Sequence, residues 1–169
     1  MAIDPDKYGD QYKDHLLEQY KLYVEMADRI SGRRQTANSF FLSINTAIVA
    51  LVSYVGLCTG KEANFYWIIS CAGMILCFLW YRLIRSYKDL NSAKFKVIHE
   101  MEANLPFAPY DVEWDKAGRG EDKKLYLPFT HIEINVPWVF FAIHALVFLW
   151  GIGILPWIIN VIKMVLSKL

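Results

Sequence analysis

The chain has 169 residues, a length that suits one domain or a small bundle. Hydrophobic residues make up 55% of it, high for a soluble domain. The net charge of +1 argues against a globally basic nucleic-acid binder, although a local basic patch remains compatible with it.

The first thirty residues contain no apolar h-region, so no cleavable leader is expected. Residues 8–30 predict an amphipathic helix. Tyr12, Leu16, Tyr20, Tyr23, Ala27 and Ile30 recur at spacings of three and four and form one stripe. Glu18 with Lys21, and Glu25 with Arg29, have spacings that support such a helix by roughly 0.2–0.5 kcal/mol per pair. Gly32 is only a weak breaker, so the helix is expected to run on into the next segment. The stripe reads as core packing, with a stacking surface for bases as the sharper alternative.

Residues 31–55, SGRRQTANSFFLSINTAIVALVSYV, follow. After Arg33 and Arg34 the charge disappears, and residues 40–57 are long and apolar enough to cross a bilayer. Ser39, Ser43, Thr46, Ala50 and Ser53 nevertheless form a continuous small-polar stripe. Asn38 and Asn45 form a second line beside it, which Ser31 extends. Hydroxyls and amides gain nothing from hydrocarbon, so such a seam is not there for lipid. It suits close helix packing, within a subunit or between subunits. The alternative is a water-filled axis in a ring of subunits, with Ile44, Ile48 or Leu51 as a hydrophobic gate.

A polar turn, residues 58–64, leads to a second span at 65–83, making an antiparallel hairpin. Cys58, Cys71 and Cys77 show no CxxC spacing and read as small buried thiols, not as a disulfide framework or metal site. Beyond the span, Ile84, Tyr87, Leu90, Phe95, Ile98, Met101 and Leu105 continue an apolar stripe up to Pro106. Residues 105–133 read as a long solvated loop, with Phe107, Tyr110, Trp114, Tyr126 and Phe129 packing part of it back on the stalk. Residues 134–154 predict a third span, with His144 in its middle. An ionisable group at that depth is either a neutral imidazole bonded to a neighbouring helix or a pore-lining, pH-sensing group. Pro156 is a possible kink before an amphipathic tail lying along the outer surface.

The fold class is therefore an all-α integral membrane protein: three transmembrane helices with helical extensions forming a cytoplasmic stalk. Its segments are a cytoplasmic helix at 1–37, a hairpin at 38–83, a cytoplasmic helix and loop at 84–133, the third span at 134–154 and an outer tail at 155–169. Six lysines and arginines precede the first span, nine lie between the second and third, and three remain for the opposite side. That bias puts the N-terminus in the cytoplasm and the C-terminus outside.

No catalytic constellation is visible. His99-Glu100-Met101-Glu102-Ala103 lacks the second histidine of HExxH, and His131-x-Glu133 lacks a cysteine pair. P-loop, GxGxxG and GxSxG motifs are missing, so neither an enzyme nor a cofactor is expected. Pore-lining candidates are Asn38, Ser39, Ser43, Asn45, Thr46, Ser53 and His144. In a ring, Arg33 and Arg34 become a crown of guanidinium groups suited to phosphate. Lys21, Arg29, Arg82 and Arg85 are candidates beside it for binding a signal, with Tyr20 and Tyr23 for stacking.

The run from Tyr20 to Arg34, Asn38-Ser39-Phe40-Phe41-Leu42-Ser43-Ile44-Asn45-Thr46, and later Leu105-Pro106, Pro109-Tyr110, Glu113-Trp114, Tyr126 and Glu133 resemble a family of small bacterial inner-membrane proteins. That family is similar to short membrane effectors encoded in anti-phage operons beside nucleotidyltransferases, closest to the channel subunit of Hailong-type systems. The resemblance implies a cyclic homo-oligomeric channel, expected as a tetramer, in the bacterial inner membrane with a periplasmic C-terminus. A nucleotide or single-stranded oligonucleotide would gate it, and opening would depolarise the cell. The alternatives are a non-conducting anchor or scaffold that recruits a soluble partner through 84–133 and, more weakly supported, an enzyme acting on lipid headgroups.

Overall fold

The computed structural model describes residues 4–59, 66–121, 125–126 and 132–167. Most of the turn expected at 58–64, together with Phe129 and His131, lies outside the described residues. After a short helix α1 (Pro5–Tyr8), the chain forms α2 (Tyr12–Thr59) and α3 (Tyr66–Glu102). α4 (Pro109–Lys116) and a 3-10 turn (Gly118–Gly120) follow, then α5 (Val136–Gly151) and α6 (Ile154–Leu166). No strand occurs among the described residues.

α2 has 48 residues and no proline, and at 1.5 Å per residue it is about 72 Å long. Gly32 does not interrupt it, so the amphipathic segment and the apolar segment are one helix. α3 has 37 residues, about 55 Å, and stops four residues before Pro106. Both helices are long and apolar enough to cross a membrane.

The chain divides into two compact units. One comprises residues 1–35 and 86–131, the other residues 36–85 and 132–169. The first holds most of the charged residues. Its core is Ala27 of α2 and Ile98 of α3, with buried Lys94 and Glu102 beside them. Residues 109–116, read from sequence as part of a loop, form α4 instead. Pro109 at its first position suits helix initiation, because its missing N–H needs no partner there. Arg119 then bonds back to Asp115 at 3.1 Å and to Asp111 at 3.3 Å. These carboxylates hold the guanidinium above its ordinary pKa, the hydrogen bond it donates to Asp115 first.

The second unit is apolar and packs α3 most deeply. Of the most apolar stretch of α3, 28% is buried, against 6% for that of α2. Phe41 stacks on Trp80 with ring centroids 5.8 Å apart, and Phe140 of α5 tilts against the same indole at 6.2 Å. Leu51, Ile75, Phe78, Leu79, Val139 and Leu146 face outward, as lipid-facing residues would.

The third span differs from the continuous helix expected at 134–154. α5 has 16 residues, and α6 leaves it at 73°. The break lies at Gly153, whose φ of 79° is left-handed, and not at Pro156, which sits inside the first turn of α6. α6 is almost wholly apolar and exposed. Its only polar residues are Asn160 and Lys163, and with the C-cap residue Ser167 their spacing puts them on one line.

Gly73 shows how closely α3 and α5 approach. A Cβ there would stand 2.5 Å from His144 Cε1 and 2.6 Å from its Nδ1. Gly73→Ala is expected to cost about 1–3 kcal/mol by overpacking. In a His144→Ala background the same change should cost under about 0.5 kcal/mol. Unfolding of the four proteins in detergent checks this cycle.

Candidate functional site

In the apolar unit, three helices share one acceptor. Asn45 of α2 is fully buried. Its Oδ1 accepts from Cys77 Sγ of α3 at 3.2 Å and lies 3.1 Å from His144 Nε2 of α5. Its Nδ2 donates to the Phe41 carbonyl at 2.8 Å, which fixes the orientation of the amide. An acceptor at Oδ1 assigns the proton of a neutral His144 to Nε2.

A second polar link lies nearer the start of α5. Asn38 Oδ1 accepts from Trp80 Nε1 at 2.8 Å, and Asn38 Nδ2 donates to Glu133 Oε1 at 3.0 Å. The asparagine line thus turns inward: Asn45 joins α2 to α3 and α5, and Asn38 joins it to α3 and to Glu133, just ahead of α5. Asn38, Asn45 and His144, three of the pore-lining candidates, are occupied within the protomer.

The serine line points elsewhere. Ser39, Ser43, Thr46, Ala50 and Ser53 are all exposed. At 100° per residue, Ser43 and Thr46 lie about 160° and 100° around α2 from Asn45. Ser53 returns its hydroxyl to the Val49 carbonyl at 2.8 Å, a bond local to the helix. Among the described residues, no other helix of the protomer covers this stripe.

The charged unit distributes the signal-binding candidates unevenly. Tyr20 donates its hydroxyl to Glu102 Oε1 at 2.9 Å. Burial, then the adjoining carboxylate, pushes that phenol above its ordinary pKa. One face of the Tyr23 ring is covered by the Lys94 ammonium, 4.3 Å from the centroid. Lys21 pairs with Glu18 at 2.9 Å and Arg29 with Glu25 at 2.6 Å, both exposed pairs within one helix. Arg34 is half-buried and partnered. Arg33 in this unit, and Arg82 and Arg85 in the other, are exposed and form no ion pair among the described residues.

Sequence reasoning missed Glu102. It is buried, and besides Tyr20 it accepts from the backbone N–H of Tyr110 at 3.0 Å and of Asp111 at 3.1 Å. It therefore caps α4, whose own N-cap residue, Ala108, offers no side-chain bond. The available signal was a carboxylate seven residues before a proline that starts a helix. Among the described residues no group of His, Cys, Asp or Glu could hold a metal ion.

Glu102→Ala leaves three donors without their acceptor and is expected to cost about 2–4 kcal/mol. Hydrogen exchange should rise at the Tyr110 and Asp111 amides while the α5 amides keep their protection. Equal loss in both units would contradict the capping role.

Against known proteins, a family model described as the octameric membrane protein family matches residues 17–153. No curated protein and no solved structure matches the chain.

Proposed function

Because the chain belongs to the octameric membrane protein family and is thereby a self-associating membrane protein, we propose that it is a homo-oligomeric channel, built from eight copies in place of the four expected from sequence. The observation that carries this reading is the exposed line of Ser39, Ser43, Thr46 and Ser53. Three helices cannot enclose a pore, but a ring can place one small-polar stripe from each copy around an axis. Uncharged hydroxyls let ions pass without trapping them. Asn38, Asn45 and His144 are left out of this lining, because they hydrogen-bond within the protomer.

In this reading α2 and α3 span the membrane, and α5 makes the third crossing with α6 at the outer face. The N-terminus is cytoplasmic, the C-terminus periplasmic, and the membrane is the bacterial inner membrane. The role is not enzymatic. The channel is an effector of anti-phage defence of the Hailong type, gated by a nucleotide or oligonucleotide that a neighbouring nucleotidyltransferase makes, and its opening depolarises the cell. Arg82 and Arg85 are the proposed phosphate contacts, because their guanidinium groups are exposed and form no ion pair among the described residues. Tyr20 and Tyr23 are withdrawn as stacking groups, since Glu102 and Lys94 engage them.

Ion flux through purified protein in liposomes tests the channel. Ser43→Leu with Thr46→Leu should cut the flux about tenfold or more by narrowing and drying the axis. An assembled wild-type protein that gives no flux under any ligand condition would favour a scaffold.

Filter binding of short deoxy-oligonucleotides at two salt concentrations tests the signal. Arg82→Ala with Arg85→Ala should weaken binding and reduce the salt slope by about 2.

A further inference from the structure

Among the described residues of the charged unit, α2 and α3 carry apolar side chains that no other element covers. α4 occupies one side, where Phe95 of α3 meets Tyr110 edge-on at 5.6 Å and Glu102 holds the first turn of α4. At 100° per residue, Leu90 lies about 140° around α3 from Phe95, away from that side. Leu90 is 48% exposed. On α2, Leu22 and Met26 stand one turn apart and are 58% and 42% exposed. The ion pairs Lys21–Glu18 and Arg29–Glu25 flank them on the same helix. An apolar centre with an ionised rim is the anatomy of a protein contact.

Lipid does not suit this face. Glu18, Lys21, Glu25, Asp28 and Arg29 crowd the same stretch of α2, and ionised groups are expelled from hydrocarbon. In water, neighbouring exposed leucine and methionine side chains mark an interaction site. The family to which the chain belongs assembles with itself, which identifies the occupant as a second copy.

We propose that the face formed by Leu22, Met26 and Leu90 docks on a neighbouring copy of this chain, against the side that carries Phe107. A closed ring needs two different faces on each protomer. Phe107, 65% exposed, stands two residues before α4 and supplies an apolar anchor for the second face. The contact rests on self-association alone and not on the conduction proposed above.

Native mass measurement of the full chain in detergent tests it. Leu22→Glu with Met26→Glu should lower the assembled fraction about tenfold at equal protein concentration, with helix content unchanged by circular dichroism. Phe107→Glu should do the same from the opposite face. Assemblies of parental mass in both variants would overturn the proposal. If the glutamate variants lose helix content, Leu22→Ala with Met26→Ala decides. A shift toward protomers supports the contact, and an unshifted assembly overturns it. A wild-type ring that assembles but passes no ions would refute the channel and leave this interface standing.

Discussion

Hydrocarbon supplies no hydrogen-bond partner, so burying a polar side chain in the apolar unit is costly unless the chain itself provides one. Asn45 meets that demand for three helices at once. Its carbonyl oxygen faces Cys77 and His144, and its amide returns to its own helix. Such a group specifies which faces of α2, α3 and α5 meet, because rotating any one helix strands a donor. The bare backbone at Gly73 makes room for the imidazole. Asn38 repeats the device, with Trp80 and Glu133 as partners. Two inward amides therefore set the rotation of α2, and the same rotation leaves the serines on the outside.

The charged unit solves the same problem in water by different means. Glu102 is buried and ionisable, yet it is satisfied by one hydroxyl and two backbone N–H groups. A carboxylate at a helix N-terminus also gains from the helix dipole. One residue at the end of α3 thereby holds both α2 and α4. Lys94 lies buried on the other seam, its ammonium over an aromatic face instead of beside a carboxylate.

Much of the helical plan was legible because it is periodic. The stripe from Tyr12 to Ile30 and the uncharged run after Arg34 announce one long helix, and only a glycine stood between them. The site was less legible. Asn45 and Thr46 are neighbours in sequence and both polar, so periodicity separates their faces but does not say which one meets another helix. That answer lies in Cys77 and His144, 32 and 99 residues away. α4 was hidden for a similar reason. It is eight residues long, carries three acidic residues and one lysine with no clear apolar period, and takes its cap from a side chain outside its own segment. At the end of the third span, proline drew attention to Pro156, whereas the turn belongs to the glycine three residues earlier.

Gly153 also settles a question of length. A straight helix from residue 136 to residue 166 would measure about 46 Å, against roughly 30 Å of hydrocarbon. To hide that excess it would have to tilt by about 50° or thicken the bilayer around it. Turning at a left-handed glycine removes the mismatch. In the topology proposed above it leaves a crossing of about 24 Å and lays the remaining apolar turns flat, with the Asn160, Lys163 and Ser167 line toward the headgroups. The absence of a single Cβ thus keeps the tail from becoming an over-long stave.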